Sequence, residues 1–165
     1  MKGALRRRVW LAWVVVTSNW IAACAQLPRS SAPNTQQWSG RLALQVQDDA
    51  EKSLHAGFTL QGTAEQGALT LYSPLGQVLG QLHWTPGKAT LEQGQELRHA
   101  NSVQALTQAL TGSPVPIAAV FDWLHGQPTA EPGWSVDLQQ LGHGRLSATR
   151  EQPAPRTVLR LILDQ

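Results

Sequence analysis

The sequence is poor in the residue types that build reactive or cross-linked sites. Cysteine occurs once, at Cys24, so no internal disulfide can form and no cysteine cluster exists to hold a metal. The five histidines, His55, His83, His99, His125 and His143, include no pair three to five residues apart, and a zinc-like site therefore lacks its ligands. There is no Gly-x-Ser-x-Gly elbow and no phosphate loop, and Gly142-x-Gly144 alone is too weak a signal to use. Acidic residues are sparse within the strand-like segments, which argues against paired carboxylates in a cleft. Asp122 and His125 stand one helical turn apart, a spacing more often found in a surface contact than in a catalytic pair. Nothing here asks for an enzyme or a cofactor.

A basic surface is also missing. Of thirteen Lys and Arg, four (Lys2, Arg6, Arg7, Arg8) fall in the first eight residues, which leaves nine against eleven acids and a net charge of about −2 for the remainder. The remaining cations are scattered, so a nucleic-acid partner is not expected. Long hydrophobic runs are absent too. The apolar stretch from Val9 to Ala23 is interrupted by Thr17-Ser18-Asn19 and falls short of the 18 or so apolar residues of a spanning helix.

That stretch, following a basic start and ending in Ile21-Ala22-Ala23-Cys24, resembles a bacterial lipoprotein signal with its lipobox. The resemblance implies cleavage after residue 23, a diacylglycerated Cys24 thiol and an acylated amino terminus, so that several chains anchor the protein stably. The competing reading is an unmodified cysteine in a signal anchor. In lipoproteins of this type an Asp after the cysteine commonly retains the protein at the inner membrane; here the next residue is Ala25, which implies passage to the outer membrane, facing the periplasm. Residues 24–36, rich in Pro, Ser and Asn, read as a flexible tether. The domain occupies residues 37–165.

Within the domain, Trp38, Gly40, Leu42, Leu44 and Val46 alternate with mostly polar neighbours, as do Leu54, Ala56, Phe58 and Leu60, and each run predicts a half-buried strand. A polar turn, Asp48 to Lys52, joins them. Ala68 to Tyr72 and Gln77 to Trp84 read as a hairpin, with Val78, Gly80, Leu82 and Trp84 on one face. Ala89 to Leu91 is a fifth strand. The period then changes: Ser102 is placed to cap a helix bearing Val103, Leu106 and Leu110 and ended by Gly112, and a second short helix spans Ile117 to His125. Strands return at Trp134 to Leu138, Leu146 to Ala148 and Thr157 to Leu163. The total is about eight strands, with two helices after the fifth that lay their apolar faces on the sheet. The fold class is mainly β (α+β).

Two features carry the functional reading. Trp38, Trp84, Trp123, Trp134, Phe58 and Phe121 fill a core or line a concave, loosely packed sheet under the helices; periodicity alone does not separate the two. Such a cavity takes an acyl chain, each buried CH₂ contributing about 0.8 kcal/mol. The residues read as its lining are Leu44, Phe58, Leu60, Leu71, Val78, Leu82, Trp84 and Trp123. The second feature is Leu75 in Ser73-Pro74-Leu75-Gly76, a bare leucine at a hairpin tip. It either folds back onto the core or protrudes as an apolar finger.

The lipobox, Trp38-Ser39-Gly40-Arg41-Leu42, Ser73-Pro74-Leu75-Gly76, Leu110-Thr111-Gly112-x-Pro114-x-Pro116 and Trp123-Leu124-His125-Gly126 together resemble the outer-membrane lipoprotein receptor family LolB. The resemblance implies an incomplete antiparallel β-barrel of about eight or more strands with short helices covering its concave face. It implies a protein that accepts lipidated cargo from the periplasmic carrier LolA and inserts it into the outer membrane without nucleotide, by a gradient of affinity. Pro74, Leu75 and Gly76 match the family's protruding loop, whose leucine is needed for insertion. The expected partners are the LolA-type carrier, lipidated cargo proteins and outer-membrane lipid, and the protein is read as a monomer. The rival readings are a structural or assembly lipoprotein that grips a protein partner, and a periplasmic phospholipid-binding module. Cys24→Ser is expected to yield an unanchored protein in membrane fractionation; retention of that variant through an alkaline or high-salt wash contradicts the lipobox reading.

Overall fold

Even-numbered residues of the first strand point one way and odd-numbered ones the other: Leu44 and Val46 are buried while Arg41 and Gln45 are exposed. The same period-2 rule, repeated along the chain, builds a sheet with one apolar face. The computed structural model describes residues 36–164 apart from Gly112. The leader, Cys24, the tether up to residue 35 and Gly112 as a helix stop lie outside the described residues. The elements are β1 (Gln37–Val46), β2 (Asp49–Gly62), β3 (Gly67–Tyr72), β4 (Val78–Thr85), β5 (Lys88–Gln93), β6 (Glu96–Ala100), α1 (Val103–Thr111), α2 (Ile117–Leu124), β7 (Trp134–Asp137), β8 (Arg145–Arg150) and β9 (Thr157–Leu163).

All nine strands form one antiparallel sheet in the order β6-β5-β4-β3-β2-β1-β9-β8-β7. The first six are a meander. The chain then crosses through the helices and returns so that β9 pairs with the free side of β1, Leu42 opposite Leu161 and Leu44 opposite Leu159. The end strands β6 and β7 do not pair, so the sheet curls without closing, as expected for an incomplete barrel. Glu96 and Arg98, joined at 2.9 Å, put charge on the β6 edge, which discourages pairing with another chain.

Two expectations need correction. The helices follow the sixth strand, because β6 exists: Glu96, Leu97, Arg98 and His99 are all exposed, and an edge strand with no buried face shows no alternation to read. The connection after β1 is also shorter than the polar run suggests. Only Gln47 and Asp48 form the turn, with Asp48 at φ 59°, a left-handed conformation that Asp tolerates. The polar residues beyond it are strand, with Lys52 paired to Asp49 at 2.7 Å and the Ser53 hydroxyl accepting the Val46 N–H at 3.0 Å.

The core lies between the concave face and the helices. Leu44, Phe58, Leu60, Leu82 and Trp84 meet Val103 and Leu106 of α1 and the apolar side chains of α2, with Leu146, Leu159 and Leu161 from the returning strands. Ser102 caps α1, its hydroxyl accepting the Ala105 N–H at 3.1 Å. The α2 helix stops at Leu124, beyond which Gly126 takes φ 80°. It is the more firmly held of the two helices, because Ile117, Ala119, Val120, Phe121, Trp123 and Leu124 are all buried.

Gly40, in the middle of β1, has φ 152°, and a Cβ there would sit 2.0 Å from the Ile162 carbonyl oxygen. Gly40→Ala is expected to push β1 and β9 apart and lower stability by about 1–3 kcal/mol, the usual size of enforced backbone strain. Urea denaturation followed by tryptophan fluorescence measures this; an unchanged midpoint contradicts the close approach.

Candidate functional site

Beneath the helices, the concave face is not fully packed. A cavity of about 180 Å³ is bounded by β1, β2, β3, β4, β5 and β9 below and by Thr107, Leu110, Val115, Ile117 and Val120 above. Its wall is almost entirely apolar and mostly leucine, Gln93 and Thr107 are its polar side chains, and no titratable group lines it. Such a space offers an incoming molecule dispersion and escape from water, and nothing with which to orient a polar group. A leucine-lined cavity of about 150 Å³ stays dry and admits benzene, so this one accommodates part of an acyl chain as it stands, and more only if the helices part from the sheet.

The sequence-predicted lining divides. Leu44, Phe58, Leu60, Leu71 and Leu82 border the cavity. Val78, Trp84 and Trp123 do not, and each departure has a physical cause. Between β3 and β4 the register shifts: Leu71 lies opposite Gly80 but Tyr72 lies opposite Val78, so Leu79 is the extra residue of a bulge. A bulge breaks strict alternation. Leu79 therefore reaches the cavity in place of Val78, which is 53% exposed. Trp84 is buried at the side of the core, its Nε1–H donating to the Thr63 carbonyl at 3.2 Å. Trp123 packs against Trp134, with ring centroids 6.2 Å apart, and donates to the Thr129 carbonyl at 3.0 Å. Both indoles find partners for their N–H groups away from the cavity, as buried tryptophan must.

Leu42, Leu54, Leu69 and Leu161 also border the cavity. Leu42 and Leu54 share the alternation of Leu44 and Phe58 and were open to inference from it. The contributions of Leu110, Val115 and Ile117 depend on how the helix pair is laid over the sheet, which no local pattern reveals.

The hairpin between β3 and β4 begins at the cavity wall, since Leu71 enters it and Leu79 and Gly80 leave it. Its tip is held by hydrogen bonds rather than by packing. The Ser73 N–H donates to the Gln77 carbonyl at 2.8 Å, the Gly76 N–H to the Ser73 carbonyl at 2.9 Å, and the Ser73 hydroxyl accepts from the Leu75 and Gln77 N–H groups at 3.3 and 3.2 Å. Gly76 supplies φ 79°. Pro74 and Gly76 are exposed, and Leu75 between them is 88% exposed. A leucine so placed forgoes roughly 1.5–3 kcal/mol of burial. Of the two sequence-level readings, the geometry has the leucine pointing away from the core.

The polar residues do not assemble elsewhere. Asp122 accepts the Thr129 hydroxyl at 2.8 Å, while the His125 ring meets the Phe121 carbonyl and the Gln36 side chain, so these two do not pair. Among the described residues no three His, Cys, Asp or Glu are placed to share a metal ion.

A family model described as outer membrane lipoprotein LolB matches residues 34–154. The chain belongs to the LolB family. Among its relatives, the outer-membrane lipoprotein LolB of Cupriavidus necator is 32% identical over 87% of this chain and 89% of the relative. That of Cupriavidus metallidurans is 30% identical over 89% and 75%. The Bordetella petrii protein of the same name is 27% identical over 98% and 94%. The matched region contains both the hairpin that carries Leu75 and the strands and helices that enclose the cavity, apart from β9.

Leu71→Trp, which places an indole at the half-buried cavity wall, is expected to lower the affinity for an apolar fluorescent probe at least about tenfold. Overpacking should cost no more than about 1–3 kcal/mol of stability. A titration of the variant that superimposes on that of the parent contradicts the cavity as the probe's site.

Proposed function

We infer that this chain is the acceptor and inserter of lipidated proteins at the outer membrane. Residues 1–23 serve as its lipoprotein signal, residues 24–36 as a lipidated tether anchored through Cys24, and residues 37–165 as the working domain. Cargo arrives from a LolA-type periplasmic carrier. Its acyl chains enter the apolar space under α1 and α2, against Leu44, Phe58, Leu60, Leu71 and Leu82, and then pass to the lipid of the outer membrane. The observation that carries this reading is the continuity between the two apolar features: the strand residues that wall the cavity lead directly into a rigid hairpin presenting Leu75 to the outside.

The transfer needs no reaction. A largely apolar cavity holds a chain in proportion to the CH₂ groups it covers, about 0.8 kcal/mol each, and one that covers only part of a chain binds it less tightly than a bilayer that covers all of it. Cargo therefore moves down a gradient of affinity. Leu75 does not serve as the protein's own anchor, which the acylated Cys24 provides. Its work is at the exit, where an apolar side chain in the bilayer surface brings the cavity rim to the lipid. One copy contains every part of this route, so the working form is a monomer.

Leu75→Glu leaves the fold intact, since the side chain touches little, and stability should change by less than about 0.5 kcal/mol. The variant is expected to accept a lipidated peptide from the carrier and then to insert it into vesicles at least about tenfold more slowly, a carboxylate being costly in hydrocarbon. Insertion at the parent's rate contradicts the role of Leu75. Binding of free phospholipid with no binding of lipidated peptide contradicts the cargo.

A further inference from the structure

The outer face of the sheet, turned away from the cavity, carries a feature that the hairpin leucine does not account for. Arg41 on β1 lies opposite Ile162 on β9, and Arg160 lies opposite Ala43. The two arginines are thus diagonal neighbours on one face, a relation in which long side chains reach each other. Both are exposed, and neither forms an ion pair among the described residues, although Arg160 bonds the side chain of Gln45. They flank a shallow groove whose floor is small, Ala43 and Gly57, and whose other walls include His55 and Pro74 of the hairpin. No carboxylate lines it. Two acids share the face: Asp164, next to the β1–β9 pairing, accepts the Ser39 hydroxyl at 2.9 Å, and Asp137 accepts the Gln139 N–H at 2.9 Å; among the described residues neither is ion-paired with Arg41 or Arg160.

Two neighbouring arginines without an ion-pair partner among the described residues repel each other and favour an anion between them. Arginine forks match phosphate oxygens. Position selects the source. With strands about 4.8 Å apart, Arg41 lies roughly 10 Å across the sheet from β3, and Pro74 links the groove to the tip that carries Leu75. Ile162, 43% exposed, adds an apolar contact beside the cations. We propose that Arg41 and Arg160 seat a phospholipid head-group phosphate, so that the outer face of the sheet lies on the bilayer and aims the hairpin into it. The inference rests on the reading of Leu75 as the group that meets lipid, and it supplies what one leucine lacks, an orientation.

The test uses the whole lipidated protein reconstituted in vesicles, with a fluorophore on Thr59→Cys, a position on the same outer face. Quenching by a lipid spin-labelled on its head group reports the approach of that face to the membrane. In vesicles containing phosphatidylglycerol the label is expected to be quenched. The quenching falls at least about threefold in the Arg41→Gln/Arg160→Gln variant, and comparably when salt is raised from about 0.05 M to about 0.5 M. Both arginines are exposed, so the variant should keep the parent's denaturation midpoint. Equal quenching in variant and parent overturns the proposal. A variant that docks normally but no longer takes cargo from the carrier also overturns it, because the groove then recognises a protein. If instead Leu75→Glu inserts cargo normally while the double variant loses quenching, the reading of Leu75 fails and the groove stands.

Discussion

Phe121 of α2 stands edge-on to Trp38 and Trp84, with ring centroids 5.5 and 6.3 Å away, and the rest of the molecule depends on that contact. Trp38 belongs to β1 near the middle of the sheet, Trp84 to β4 on one side, and the next contact along the helix, Trp123 with Trp134, ties in β7 at the far edge. One short helix thereby bridges an open sheet that has no closing strand pair. A helix of this length has little stability of its own. Its position is set by burial of large rings, each also oriented by edge-to-face preference. By spanning the concave face, α2 keeps the sheet curled and prevents its leucines from collapsing fully onto one another.

The division of labour among apolar residues follows. The tryptophans and Phe121 are used where position must be fixed, at the contacts between α2 and the strands. Leucine dominates the wall of the space that, on the proposed function, takes a guest, where a flexible, nonpolar and undemanding wall is wanted. Only Val103 and Leu106 of α1 are fully buried among its described side chains, while its Thr107 and Leu110 face the cavity. Fewer buried contacts make a segment the easier one to open. On the proposed function, a chain longer than the cavity can hold would enter most readily under α1, with α2 as the fixed side. The same economy appears in the hairpin. Serine and glycine hydrogen bonding, not packing, stiffens the tip, which leaves the leucine side chain free for an external apolar surface.

Much of this was legible from the residues. The period-2 runs in β1, β2 and β7, the strand-like residues of β3, β5 and β9, the change of period at Ser102 and the stop at Gly126 are local signals, and they point to the helices and most strands. The unsupported leucine between Pro74 and Gly76 was visible as an anomaly for the same reason. What escaped was set by longer range. The bulge at Leu79 depends on how β4 pairs with β3, and it exchanged Val78 for Leu79 at the cavity. The tryptophans at 84 and 123 looked like lining because they are large and apolar, whereas the carbonyls of Thr63 and Thr129 that satisfy their N–H groups become apparent only in three dimensions. The edge strand β6 has no buried face, and so had no pattern to show. The pairing of Arg41 with Arg160 comes from β9 returning beside β1, a neighbour relation across more than a hundred residues of sequence.

On the proposed function, an acyl chain occupies the leucine-lined space under the helices on its way to lipid. Leucine-methyl NMR of the protein titrated with a diacylated peptide tests it most directly. Magnetisation transfer is expected from the acyl methylenes to the methyls of Leu44, Leu60, Leu71 and Leu82, with those of the exposed edge residue Leu97 unmoved. Contacts confined to Leu75 and Leu97, with the cavity leucines unchanged, would contradict it.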